Sequence, residues 1–442
     1  MVKVESISNG RKNQMLPEDK PIHGWYQFVL GYPPHLVRHY LSKFDINHDD
    51  IVLDPFCGTG TTPVECMKNG VTSYGIDANV MACFAARTKT NINLSVSKLN
   101  ECLSYIFTST RLTFKNLGID DDLSTLFEPS KNIKPIILDT LPELDPESQK
   151  IIPAGFISEK PLQKVLILRQ IIETIEDQQI QDFFRLSLAY LIVSKAGNVG
   201  FGPEVYRTKP KDDFEALNCL IYNSTRMIHD IERFQHLETK STIINGDSRE
   251  IDAYLDESLL GQVNGVITSP PYPNEKDYTR STRLESVLLG FISNKKELRQ
   301  RKELFLRSNS RNIFCTDTDG EYVRDFARIE AIADEIEEKR INLKKQSGFE
   351  KMYPKIVRHY FGGMLLHLKS LKPFLAPNAK LAYVVGDQMS FFRTQIPTAE
   401  LLGEIASSLG YKIVDIELWR TRLATATKMQ LNENVLILEN DN

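Results

Sequence analysis

Two short stretches of this chain combine residue types and spacings that suit chemistry. The first, Asp54-Pro55-Phe56-Cys57-Gly58-Thr59-Gly60-Thr61-Thr62, follows the apolar run Ile51-Val52-Leu53. Glycine has no Cβ, so Gly58 and Gly60 permit a tight turn and let a ligand lie close to the backbone. A triphosphate-gripping loop needs Gly-Lys-Ser/Thr, and no lysine stands here. A dinucleotide loop needs a third glycine, also missing. What remains is a loop for an uncharged or zwitterionic ligand, with Asp54 available to a cationic group. Asp77 lies 19 residues beyond Gly58 and ends a second apolar run, Tyr74-Gly75-Ile76. An acid in that place can take both hydroxyls of a ribose.

The second stretch, Thr268-Ser269-Pro270-Pro271-Tyr272, follows Val263–Ile267 directly. The two prolines end the strand, stiffen the backbone and remove two N–H donors, which leaves nearby carbonyls as acceptors. Ser269 Oγ and a proline carbonyl then suit the two hydrogens of an amino group on a flat ring, with Tyr272 to stack on its face. The lone pair of an aryl amine is delocalised into the ring. Hydrogen bonds to both N–H groups favour a pyramidal nitrogen able to attack a methyl group in line. Without a ligand, the same residues read as a proline-rich turn.

The elements that must position these residues form an α/β pattern. A helix starts at Pro33-Pro34, with Leu36, Val37, Tyr40, Leu41 and Phe44 at helical spacing. Ile51–Leu53 reads as a strand, and residues 63–69 as a helix with Thr62 as its cap and Gly70 at its end. The run ending at Asp77 is a second strand, which completes a doubly wound unit. Residues 99–240 are mainly helical, and strand signals return at 242–244 and 263–267. Residues 294–360 are helical and charged. Lys380–Val385 reads as a strand, and 412–418 with 434–438 as a closing antiparallel pair. The expected fold is therefore a Rossmann-like, doubly wound α/β sheet with mainly helical insertions. Its parts are a polar lead-in 1–22, core 23–98, helical insertion 99–240 (a candidate separate lobe that reads the target), core 241–293, basic helical insertion 294–360 and core 361–442.

Composition narrows the class. The 442 residues include 54 Lys+Arg against 58 Asp+Glu, a net charge of −4. A chain that coats nucleic acid without regard to sequence is normally basic overall, so that role is disfavoured, while a site-specific binder with a local positive face is not. Six cysteines, none spaced C-x-x-C, make no disulfide framework. No run of about 18 apolar residues occurs, and no signal peptide opens the chain, so a cytoplasmic protein is expected. His35 and His39 sit i, i+4 without a third ligand cluster, so no metal is expected. No cysteine follows a proline, which disfavours covalent attack through a thiolate.

Together, DPFCGTGTT and TSPPY resemble the S-adenosylmethionine-dependent amino-methyltransferases of DNA bases, whose cofactor motif is DPFxGxGTT and whose catalytic motif is (D/N/S)PPY. The resemblance covers roughly 23–98, 241–293 and 361–442. It implies S-adenosylmethionine as cofactor, held by Phe28, Asp54, Phe56, Cys57, Gly58, Thr59, Gly60 and Thr61. Asp77 would lie on the ribose, with Asp247 and Ser248 by the adenine. It assigns catalysis to Ser269, Pro270, Pro271 and Tyr272. Serine at 269 resembles the cytosine-N4 members more than the adenine-N6 members, which usually carry aspartate. Two features depart from the pattern: Pro33-Pro34 stands for the usual Ser-Pro, and the long insertion falls just before Asp247. The partner implied is double-stranded DNA with a flipped base, in a prokaryotic, nucleoid-associated setting, and a cognate restriction or defence component comes with that setting. Adenine N6, guanine N2 of RNA and a non-catalytic DNA regulator remain alternatives.

Residues 295–312 hold seven Lys/Arg against two Glu. Read for function, Lys295, Lys296, Arg299, Arg301, Lys302, Arg307 and Arg311 form a phosphate-tracking arm, since such cations neutralise backbone charge. Read plainly, they are a solvated helix face. Arg420 and Arg422 are further phosphate candidates. Read for function, Phe201 or Tyr206 after Asn198 meets base or cofactor; read plainly, that stretch is a connector.

Overall fold

A computed structural model of the chain describes residues 12–26, 31–121, 127–130, 133–202, 204–238, 240–273, 276–423 and 429–441. Seven strands build the main sheet: β1 (Ile51–Asp54), β2 (Thr72–Asp77), β5 (Ser241–Asn245), β6 (Val263–Thr268), β7 (Leu375–Gly386), β8 (Tyr411–Leu423) and β9 (Gln430–Asn440). A small antiparallel pair, β3 (Val199–Phe201) and β4 (Val205–Arg207), lies apart from it. The sheet order is β5-β2-β1-β6-β7-β9-β8. The first five of these are parallel, while β9 runs antiparallel between β7 and β8. From β1 the chain moves outward through β2 to β5, then returns to lay β6 on the other side of β1. That reversal opens a crevice at the carboxyl ends of β1 and β6, where open α/β sheets bind ligands.

Alternate residues of each strand enter different cores, as the strand period requires. Val52, Ile267, Ala382, Val384 and Ile437 pack under helix Pro34–Lys43 with Leu36, Val37 and Tyr40. Leu53, Val266, Leu381, Tyr383 and Leu436 pack on the other face under helices Tyr353–Leu371 and Thr398–Ser408. The sheet is thus a sandwiched α/β/α layer, the doubly wound class expected.

Several local expectations change. Helix Thr61–Lys68 begins after Gly60, which has φ +86°, so Thr62 sits in its first turn rather than capping it. The break expected at 98/99 falls inside helix Val96–Asn116, and the one at 360/361 inside helix Tyr353–Leu371, which covers the sheet. The helices between 96 and 234 do not form a core of their own. Leu168, Phe183, Phe184 and Met227 share one apolar cluster with Val64, Met67, Met81 and Phe84 from the sheet's own helices. The lead-in is also tied down where it is described. Asp19 is buried in an ion pair with Arg38 at 2.8 Å, and Ile22 is fully buried. Among the described residues no helix is long and apolar enough to cross a membrane.

Candidate active site

The crevice holds a cavity of about 270 Å³. Its walls include Phe56, Cys57, Gly58, Thr59 and Thr61 from the glycine loop, Asp77 from the end of β2, Asp247 and Ser248 after β5, and Ser269–Tyr272 after β6. Residues nearly 200 apart in sequence meet because parallel strands end on the same edge. Phe28 lies outside the described residues.

The glycine loop is shaped from both sides. Gly58 has φ +51°, and a Cβ placed there would meet nothing within 4 Å, so the left-handed backbone faces open space. A Cβ on Gly60 would instead stand 2.9 Å from Cβ of Ala86, so this glycine lets the loop rest on helix Val80–Thr90. The Asp77 carboxylate organises the turn by accepting from Gly58 N at 2.8 Å and from Asn79 N at 2.8 Å. Burial raises its pKa to about 6, against those two hydrogen bonds, which favour the charged form.

Asp54 has a different place from the one expected. Its carboxylate is fully buried and absent from the cavity wall, so it does not face a cationic ligand group. It accepts from Thr268 Oγ1 at 2.6 Å, Tyr32 OH at 2.5 Å and Phe56 N at 3.1 Å. It therefore clamps the carboxyl end of β1 to that of β6, across the point where the sheet reverses. Burial raises its pKa to about 6.

The Ser-Pro-Pro-Tyr turn is held from behind. Ser269 Oγ donates to Val384 O of β7 at 3.0 Å, leaving the oxygen lone pairs for a donor in the cavity. Tyr272 OH donates to Glu433 Oε1 at 3.1 Å, and Glu433 is itself paired with Arg420. Burial and the Glu433 charge hold the Tyr272 phenol far above its ordinary pKa, so its ring stays neutral. Gly386 passes close by; a Cβ there would stand 3.1 Å from the Tyr272 ring.

On the cofactor-loop side, Asp247 is buried against Arg249, which donates through Nε to Oδ1 at 3.0 Å and through Nη2 to Oδ2 at 2.5 Å. Arg249 also reaches Asp319 Oδ2 at 2.6 Å. Ser248 Oγ donates to Pro55 O, and its own carbonyl accepts from His367 Nδ1 at 2.9 Å. His367 Nε2 lies 2.7 Å from Tyr383 OH, and burial lowers the His367 pKa to about 4. The neutral ring carries its proton on Nδ1 and packs edge-on against Phe56 at 4.9 Å.

Further residues on the wall carry no signal that spacing alone reveals: Tyr32, Asn79, Arg249, Lys276, Tyr278, Phe305 and Trp419. Tyr32 directly precedes the helix-starting prolines Pro33-Pro34, but Arg249 and Phe305 arrive by tertiary folding. Arg420 and Arg422 also line this cavity. Arg422 donates to Asp387 O at 2.7 Å.

The basic stretch divides in two. Arg307 is buried in a paired fork with Asp317 at 2.8 Å, Lys302 is paired with Asp277 at 2.8 Å, and Arg301 donates to Asn245 Oδ1 at 2.9 Å. These three brace the protein, and the seven-residue arm contracts to Lys295, Lys296, Arg299 and Arg311, all exposed. Tyr206 is 52% exposed and, like Phe201, does not line the cavity. His35 is buried, stacked on Trp419 and hydrogen-bonded to Lys12 O at 3.1 Å. Among the described residues no group of three His, Cys, Asp or Glu is arranged to hold a metal.

Comparison with known proteins finds likeness in the same stretches of sequence. Residues 10–87 match the family model described as DNA methylase, of the N6/N4 methyltransferases. Type II methyltransferase M.BsoBI of Geobacillus stearothermophilus is 25% identical, over 93% of this chain and 82% of its own. Type II methyltransferase M.MjaII of Methanocaldococcus jannaschii is 25% identical over 59% of this chain and 60% of its own. Type II methyltransferase M.MvaI of Kocuria varians is 26% identical over 67% and 64% respectively. The matched stretch 10–87 contains the glycine loop and Asp77, and the first relative extends the likeness over nearly all the rest. The chain is accordingly similar to the N6/N4 DNA methyltransferases, through residues 10–87 by the family model and over 93% of its length by the first of these relatives.

Proposed function

We propose that this protein methylates the N4 amine of a cytosine flipped out of duplex DNA, at a fixed target sequence. The observation that carries the reading is the Ser269–Tyr272 turn, which shares one cavity with the glycine loop and Asp77. The wall fits the cofactor. Open space stands over Gly58, each Asp77 oxygen accepts one backbone N–H and keeps a lone pair, and Phe56 and Phe305 give apolar surface for a purine. In this assignment Gly58 and Gly60 with Thr59 and Thr61 hold the amino-acid end, Asp77 the ribose, and Asp247 with Ser248 the adenine side. When bound, S-adenosylmethionine supplies an electrophilic methyl group.

The protein's own part is positioning. Ser269 Oγ, anchored on Val384 O, accepts one amine hydrogen, and the Pro270 carbonyl accepts the other. Two accepted hydrogens draw the nitrogen out of conjugation, so its lone pair becomes available. Tyr272 stacks on the base with a neutral ring whose hydroxyl is tied to Glu433. Serine at 269, where adenine-N6 members usually carry aspartate, supports cytosine. By likeness to relatives named type II methyltransferases, the chain belongs in restriction–modification, with a cognate restriction enzyme as the partner to seek.

The test is incubation with methyl-labelled S-adenosylmethionine and mixed DNA or RNA, then digestion and mass spectrometry of the nucleosides. N4-methylcytosine is expected. N6-methyladenine overturns the base assignment, N2-methylguanine from RNA overturns the DNA substrate, and no labelled base overturns catalysis.

A further inference from the structure

Beside the cavity lies a second, shallower groove with no part in the chemistry described. Lys295, Arg299, Lys302 and Arg311 line it, over a floor that includes Phe314. Lys302 is paired with Asp277, and Arg299 has Glu303 nearby at 3.8 Å in a solvent-exposed pair, so the remaining charge is positive. Helix Lys295–Glu303 turns Arg301 and Lys302 inward to brace the protein and leaves Lys295 and Arg299 exposed.

Two of these cations are held in place by aromatic rings. The Arg299 guanidinium lies 5.5 Å from the centre of the Phe314 ring, and that of Arg311 lies 5.9 Å from the centre of Phe349. A guanidinium resting on a ring keeps its N–H fork directed outward and loses less freedom when it meets an anion. The groove is also coupled to the base-receiving cavity. Lys302 holds Asp277, next to Lys276 on the cavity wall, and Asn309 Nδ2 donates to Lys276 O at 3.0 Å. A base in the cavity therefore leaves its neighbouring backbone beside this groove.

We propose that the groove seats the phosphodiester backbone of duplex DNA flanking the flipped base, with Lys295, Arg299 and Arg311 as the phosphate contacts. This surface rests on the DNA reading above, and it explains how a chain of net charge −4 engages a polyanion.

The experiment has two arms, both on the full chain. The first is the triple variant Lys295→Gln/Arg299→Gln/Arg311→Gln, which alters only exposed side chains. Duplex affinity is measured across a salt series. Each lost phosphate contact lowers the slope of log affinity against log salt by about 0.9, so a reduction of about 2 to 3 is expected, alike for target and non-target duplexes. S-adenosylhomocysteine affinity should not move. An unchanged slope overturns the proposal. The second arm needs no variant: Cys315 is exposed in this groove, and a bound duplex should slow its alkylation several-fold. Unchanged alkylation under saturating duplex overturns the proposal, as does protection by single-stranded RNA but not by duplex DNA. If N4-methylcytosine forms while the slope stays fixed, the groove alone is wrong. If the slope falls but no base is labelled, the groove stands and the catalytic reading fails.

Discussion

Tyr272 is where the proposed chemistry depends most on a single side chain. Its ring supplies the stacking face, while the bond from its hydroxyl to Glu433 fixes the ring's angle. Tyr272→Ala is expected to abolish methyl transfer and largely spare cofactor binding; full activity in that variant would remove the stacking role. Tyr272→Phe keeps the ring and loses one hydrogen bond to a charged acceptor, which is worth about 1.5–3 kcal/mol, so kcat should fall about 10- to 100-fold with little change in cofactor KM. Asp77 makes a different, pH-dependent prediction. Burial raises its pKa to about 6 in the free protein. Two ribose hydroxyls donating to it would favour the charged form and lower that pKa in the complex, so binding releases a proton below about pH 6. Affinity should therefore be full above about pH 6 and fall by up to roughly tenfold per unit as the pH drops below it. Titrating S-adenosylhomocysteine from about pH 5 to about pH 8 tests this, and Asp77→Asn should both weaken binding and flatten the profile. A wild-type profile that is already flat would take Asp77 off the ribose.

Among the elements, helix Tyr353–Leu371 shows how one face can serve both core and site. Its Phe361-Gly362-Gly363 turn lies against the segment that carries Asp319, and a Cβ on Gly362 would overlap the Asp319 carbonyl. Gly362→Ala must push that segment away, at a cost of about 1–3 kcal/mol. A lower urea midpoint at unchanged slope would show it. Because Asp319 holds Arg249, and Arg249 holds Asp247, cofactor KM should rise in the same variant. Nothing in the sequence marks this glycine pair, because a helical glycine becomes informative only once its neighbour is known. The strands were legible for a physical reason: buried parallel strands are short unbroken apolar runs, as at Ile51–Leu53 and Val263–Ile267. The ends of those strands were legible as well, since the fold places ligand chemistry there. Which helix covers which face was not. Periodicity shows that Leu162–Ile175 has an apolar stripe, but not that the stripe joins Met67 and Phe84 in one core rather than closing on a separate lobe. Arg307 shows the same limit at a single residue, since a basic run does not reveal which member folds inward onto Asp317.

At the scale of the whole molecule, the segment before the cavity binds the helical body to the sheet. Ile22 N and Trp25 Nε1 both donate to Asp230 Oδ2, at 2.9 and 2.7 Å, from a helix of the 96–234 region. Tyr26 OH donates to Glu285 at 2.5 Å, Lys89 Nζ donates to Tyr26 O at 2.6 Å, and Asp19 pairs with Arg38 on the helix that covers the sheet. The same chain then runs on toward Gly31 and Tyr32 on the cavity wall, and Tyr32 meets the Asp54 clamp. The strap thus ties the helical body to the helices of the sheet, which predicts that a change at Asp230 is felt in stability. Asp230→Ala strands two buried N–H donors, each costing about 1–3 kcal/mol, so stability should fall by about 2–6 kcal/mol. Asp230→Asn retains an acceptor oxygen and should lose much less. Chemical denaturation followed by Trp fluorescence reads the effect. Equal midpoints for the alanine variant and the wild type would show that the strap rests on the sheet alone.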